Sequence, residues 1–155
     1  FAGRAEIMEA LSWGGVLHYG TQNASRIGLF AARASLKELL KDKGKAFNYM
    51  WTIGDKLCVG IQKLFREFGI QAIVQSVGPM FQIMFTTKPF IRDYREFCAS
   101  VDRAKYQKFS LALFEYGVYM SPSASLHSVA TLAHREDDIA FTLEAMRNVL
   151  KDGKI

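Results

Sequence analysis

The segment Gly20-Thr21-Gln22-Asn23-Ala24-Ser25 sets a glycine and several polar side chains directly before a helical pattern. A helix start leaves backbone amides without partners, and together with a Thr hydroxyl these suit a phosphate group. An ordinary helix cap has the same appearance, and most such segments are only that. His127 stands in the Ser-rich stretch Ser121–Ser128, where a histidine could face a substrate or a phosphate, although a surface or packing role is the commoner one. His134 precedes a helical pattern and is expected to cap it or pack at its start. Lys37, Lys56, Lys63 and Lys108 fall on amphipathic patterns, where solvent is the usual environment of the ammonium group. The two cysteines, Cys58 and Cys98, form no C-x-x-C or Cys/His spacing, so zinc has no support. They read as buried free thiols. No G-x-x-x-x-G-K-[ST] phosphate loop is present.

Elements must position these groups, and the composition permits a real core. The chain has 155 residues, 50% apolar and 23% charged, the balance of a soluble globular protein. A net charge of +5 is spread along the sequence, with only Lys41, Lys43 and Lys45 close together. That trio reads as a solvated helix end, and nucleic-acid binding is disfavoured. No apolar run approaches the roughly 20 residues of a membrane span. Charges at Arg4, Glu6 and Glu9 argue against a signal peptide, and a first residue of Phe1 suggests a fragment or a processed product.

Periodicity places a short helix at Ala5–Ser12, stopped by Gly14 and Gly15. A helix follows from Ala24 to about Lys43, with Thr21 or Asn23 as N-cap and Gly44 as its end. A second runs from about Ala46 to Phe68, weakened at Gly54 and capped by Gly69. The period then switches to two. Ile70–Val77 and Met80–Thr86 read as strands around a Gly78-Pro79 turn. Asp102–Tyr116 is helical again, with Tyr106, Phe109, Leu111, Leu113 and Phe114 supplying apolar contacts. Val118–Met120 and Val129–Leu132 read as short strands. A last helix begins near Arg135, its acidic start at Glu136, Asp137 and Asp138 and its apolar stripe at Ile139, Leu143, Met146 and Leu150. The first part, long helices without strands to cover, reads as material of a larger body.

Five short stretches carry a resemblance. Phe1–Met8 is similar to the G-G-R-x-E-I-M stretch of class III aminotransferases, and His18–Asn23 to their H-x-G-T-x-N turn. Val77-Gly78-Pro79-Met80-Phe81 is similar to V-G-S-M-F, Gly117–Ser123 to G-V-Y-L-A-P-S, and Ala133–Ile139 to A-H-T-x-E-D-I. They occur in family order over nearly the whole chain. The chain therefore resembles the C-terminal part of a class III, pyridoxal-phosphate-dependent aminotransferase, with the glutamate-1-semialdehyde aminomutase branch nearest in these patterns.

The resemblance implies an α/β protein, α+β in the part present: the C-terminal portion of fold type I, long helices followed by a small sheet packed with helices. Residues 1–43 would be the end of the large cofactor-binding domain, with its dimer-facing turn and the start of the long helix. Residues 44–155 would be a connecting helix and a small C-terminal domain. Gly20 and Thr21 would bind the phosphate of pyridoxal 5'-phosphate, in this family the cofactor of the neighbouring subunit, which implies a homodimer with shared active sites. The Schiff-base lysine and the aspartate that pairs with the pyridine nitrogen are expected upstream of Phe1, so no catalytic residue is assigned within the chain and the isolated chain is expected to be inactive. His127 is the candidate substrate contact. Leu126 stands where the aminomutases carry a substrate-facing glutamate, and Ser125 where they carry an aromatic residue, which points to a related aminotransferase with another small amino substrate. Many members continue G-N-P after the turn; here Ala24-Ser25-Arg26 follows. No metal, nucleic acid or membrane is implied, and a cytoplasmic location is expected. A non-catalytic helical interaction module, or a truncated inactive homologue, is the competing reading.

Overall fold

The computed structural model describes residues 3–12 and 15–155. These form two compact units, Phe1–Lys41 and Asp42–Ile155.

The first unit holds helices α1, Ala5–Ser12, and α2, Arg26–Leu39. The expected stop at Gly14 lies outside the described residues. α2 buries no residue. Its apolar side chains Ile27, Leu29, Phe30 and Leu36 are all exposed, so the described residues of this unit do not cover them. α2 is shorter than its periodicity suggested at both ends. It starts after Ser25 rather than Asn23, and it gives way at Leu40 instead of continuing to Gly44.

The second unit carries the core. Helix α3, Lys41–Glu67, is interrupted at its beginning by Asp42, Lys43 and Gly44, all with positive φ, and is regular beyond them. Its far end closes with a reversed turn, in which the Ile70 amide donates to the Phe65 carbonyl at 2.7 Å and Gly69 adopts φ 66°. Strands β1, Ala72–Val77, and β2, Met80–Phe85, then pair antiparallel across the Gly78-Pro79 turn. β3 is only Ser128–Val129, pairing antiparallel with β2 to give the order β1-β2-β3. The expected strand at Val118–Met120 is absent, and the one at Val129–Leu132 shrinks to this two-residue edge. Between β2 and β3 lie helices α4, Tyr94–Ser100, and α5, Arg103–Glu115; α6, Glu136–Lys151, ends the unit.

Register sorts the sheet's side chains into two faces. Ala72, Val74 and Ser76 share one face with Phe85, Ile83 and Phe81. This face meets the helices, and the rings of Phe65, Phe85 and Phe109 gather with centroids 5.5–6.0 Å apart in tilted and edge-on geometry. Tyr106, Leu113, Met146 and Val149 complete the buried interior. Leu111 and Phe114, expected to supply contacts, instead lie on the outer side of α5, Phe114 65% exposed.

α3 and α6 lie side by side in the same direction. Tyr49 donates to the His134 carbonyl at 2.7 Å, Lys56 pairs with Glu136, and Arg147 holds Glu67 through two guanidinium nitrogens. The last two pairs share a sequence separation of 80, the mark of two parallel helices in step.

Candidate functional site

The polar turn at 20–25 belongs to the first unit. The Gly20 carbonyl accepts from the Asn23 amide at 2.9 Å, closing a tight turn. The Asn23 side chain folds over Gly20 so closely that a Cβ there would stand 3.2 Å from its Oδ1. Ser25, not Thr21 or Asn23, occupies the N-cap of α2, and its side chain makes no capping hydrogen bond. Thr21 is exposed. A free Thr hydroxyl beside a helix start with no side-chain cap fits an anionic oxygen. Ala24 sits in the left-handed region at φ 57°, a conformation that favours glycine.

His127 belongs to the second unit, so the structure places it in a different body from Gly20 and Thr21. It is exposed on the loop that leads into β3. Leu126 beside it is 54% exposed. The other face of the sheet, bearing the pairs Ile73–Met84, Gln75–Gln82 and Val77–Met80, forms the floor of a cleft of about 870 Å³. One wall is the strap 89–94 that leads into α4; the opposite wall carries Ser125 and His127, and Arg66 of α3 stands at an end. Two neighbouring glutamines hold these walls from below. Gln75 accepts from the Ile91 amide at 2.6 Å and donates to its carbonyl at 3.0 Å, while Gln82 donates to the Ala124 carbonyl.

Neither the strap nor Arg66 stood out in the sequence. The one available signal was Asp93-x-x-Glu96, a helix-start pattern. Asp93 indeed accepts from the Glu96 amide at 2.8 Å and caps α4, a helix the periodicity did not disclose.

His134 does not cap α6. Its Nδ1 lies 3.0 Å from both the amide and the hydroxyl of Thr131, and Asp138 instead accepts from the Arg135 amide at 2.7 Å. Of the two cysteines, Cys58 is buried and Cys98 is exposed, which corrects half of the expectation. Burial pushes the Cys58 thiol above its ordinary value, against a smaller opposing contribution from Ser76. Lys37, Lys56, Lys63 and Lys108 are all exposed on helices. Among the described residues no cluster of His, Cys, Asp and Glu could hold a metal ion, and no helix is long and apolar enough to cross a membrane.

No protein-family model matches the chain. Over 153 residues, 97% of the chain, it is 33% identical to a glutamate-1-semialdehyde 2,1-aminomutase of Thermus thermophilus, of which it covers 35%. An omega-transaminase from Sphaerobacter thermophilus superposes on 99% of the chain with a TM-score of 0.78 at 21% identity, over 35% of its own length. A glutamate-1-semialdehyde aminomutase variant from Pseudomonas aeruginosa, in complex with PMP, superposes on 90% of the chain with a TM-score of 0.75 at 20% identity, over 31% of its length. The chain thus spans about a third of the curated relatives it matches. Over that third it resembles class III, pyridoxal-phosphate-dependent aminotransferases in both sequence and fold.

Proposed function

We propose that the chain is the C-terminal part of a class III aminotransferase, which moves an amino group between a small amino compound and a carbonyl acceptor. The observation that carries this is the 33% identity over 153 residues to an aminomutase. Pyridoxal phosphate, when bound, supplies the electron sink and the amino-group carrier for such a reaction. Thr21 contributes a hydroxyl and the start of α2 its amides to the phosphate, while Gly20 keeps the turn tight beside it. Lys37, Lys63 and Lys108 are exposed on helices and Lys56 is paired with Glu136, so the covalent step is assigned to none of them.

The unburied apolar side chains of α2 support a larger body around the first unit and a homodimer in which Thr21 serves the partner's cofactor. Residues 1–43 then end the large domain, and 44–155 supply the connecting helix and small domain. His127 is the substrate contact. Leu126 replaces a carboxylate with an alkyl chain, which favours an amino substrate other than that of the aminomutases. Free cysteines agree with a cytoplasmic location.

The test is a chimera in which this chain replaces the matching third of an aminomutase relative. The chimera is expected to retain pyridoxal phosphate and to transaminate small amino compounds. Threonine 21 changed to valine (T21V) should weaken cofactor retention about tenfold, the loss of one hydrogen bond to a charged group. The 155-residue chain alone should show no turnover and no selective fixing of the cofactor on a lysine by borohydride. Turnover by the isolated chain, or a folded chimera indifferent to T21V, overturns the reading.

A further inference from the structure

The cleft on the outward face of the sheet lies within the second unit, and His127, the substrate contact proposed above, stands on its wall. At about 870 Å³ it has the size of a small-molecule pocket. Its floor is apolar through Ile73, Val77, Met80 and Met84, and Tyr94 stacks on buried Phe97 at the strap, with centroids 5.9 Å apart and planes 14° from parallel.

The polar side chains of the lining divide sharply. Gln62 is engaged with the free edge of β1, accepting from the Val74 amide and donating to the Ala72 carbonyl. Gln75 and Gln82 hold the walls, Asp93 caps α4, and Arg92 is paired with Glu96. Arg66, His127 and the Tyr94 hydroxyl have no hydrogen-bond or ionic partner among the described residues. Of these three groups Arg66, one helical turn beyond Gln62, is the permanently charged one and a donor only. A guanidinium beside an apolar floor and a flat aromatic face complements a molecule with a carboxylate at one end and an apolar, planar body.

We propose that this cleft binds an amphipathic monocarboxylate, its carboxylate on Arg66 and its apolar body on the floor between Ile73 and Met84, against Tyr94. The inference rests on the cleft alone and stands whether or not His127 meets a substrate.

The experiment is an amide-resolved NMR titration of the 155-residue chain with 3-phenylpropionate and, as the neutral control, 3-phenylpropanamide. The expected result is saturable shifts at residues 73, 80, 84 and 94 for the carboxylate, and affinity at least tenfold weaker for the amide. Arg66→Gln should weaken carboxylate binding to the level of the amide, Arg66→Lys should restore part of it, and Lys63→Gln, an exposed cation of the same helix outside the cleft, should leave it unchanged. Arg66 is exposed, so its variants are expected to keep the native spectrum elsewhere. Equal affinity for acid and amide, indifference to Arg66→Gln, an equal loss with Lys63→Gln, or no saturable shift at these residues each overturns the proposal.

Discussion

Gly54 shows how differently one residue reads in a string and in a fold. Within a helical pattern it is a weak point, worth about 1 kcal/mol against alanine. In the structure it is the place where α3 admits the β1–β2 turn. A Cβ on Gly54 would stand 2.8 Å from the Pro79 Cα and 2.9 Å from the Gly78 carbonyl oxygen, both backbone atoms that cannot swing aside. Gly54→Ala is therefore expected to destabilise the second unit by about 1–3 kcal/mol despite its better helix propensity. Urea denaturation followed by far-UV circular dichroism measures this, and a stability gain would refute the close approach. Gly60 makes the contrast: the atoms its Cβ would meet belong to the flexible end of Leu143, so its replacement can be absorbed by a rotamer change.

Among the elements, the strap 89–94 depends on one side chain. Gln75 offers both halves of its amide to the Ile91 backbone, as a neighbouring strand residue would. Ile91 is 8% exposed, so its amide and carbonyl have little access to water once this partner is gone. Gln75→Ala should cost about 1–3 kcal/mol and speed hydrogen exchange at the Ile91 amide, while amides of α3 more than a turn from the sheet stay protected. Exchange at Ile91 unchanged by the substitution would show that the strap is held by something else. α2 illustrates the opposite case. Its helical period was legible from Ile27 onward, yet the described residues of its unit leave its apolar side chains exposed, and periodicity carries no information about what covers a face.

In the second unit as a whole, two charged pairs, one between distant elements and one at the start of α4, impose a pH dependence. Glu67 is held below the ordinary carboxylate range, first by its hydrogen bond from Arg147. Glu96 is held down first by the Arg92 amide and then by the Arg92 side chain. Both folded values are lowered, so the unfolded chain binds protons more readily. The stabilisation is complete above the unfolded value of about 4.3 and is lost as pH falls through the lower folded one. Thermal midpoints are expected to hold from pH 7 to about 5 and to drop below that, with Glu67→Gln making the acid limb shallower. An unaltered acid limb in that variant would place the dependence elsewhere. Glu67 is exposed whereas Glu96 is half-buried, so added salt should shrink the contribution of Glu67 more than that of Glu96.

Local signals were sufficient for much of this. Helices at 5–12, around 26–39 and over 45–67, the hairpin about Gly78-Pro79, and the acidic start of α6 all follow from short-range periods and from turn and cap chemistry. These features depend on residues within one or two turns of each other, which is what a string displays. The ordered motifs, likewise, sufficed for a resemblance that the relatives and the fold bear out. Long-range pairing was another matter. β3 reaches only Ser128–Val129, because its strand status depends on which part of the loop meets Met80 and Phe81. Leu111 and Phe114 are apolar and helical, and only packing decides that they face outward while Phe109 and Leu113 face in. The cleft joins residues from 62 to 127 through sheet register and two glutamine side chains, and no spacing in the sequence encodes it. The Gly20-Thr21 turn is visible from sequence because its geometry is local. The cleft, with Arg66 at its end, exists only once the chain has folded.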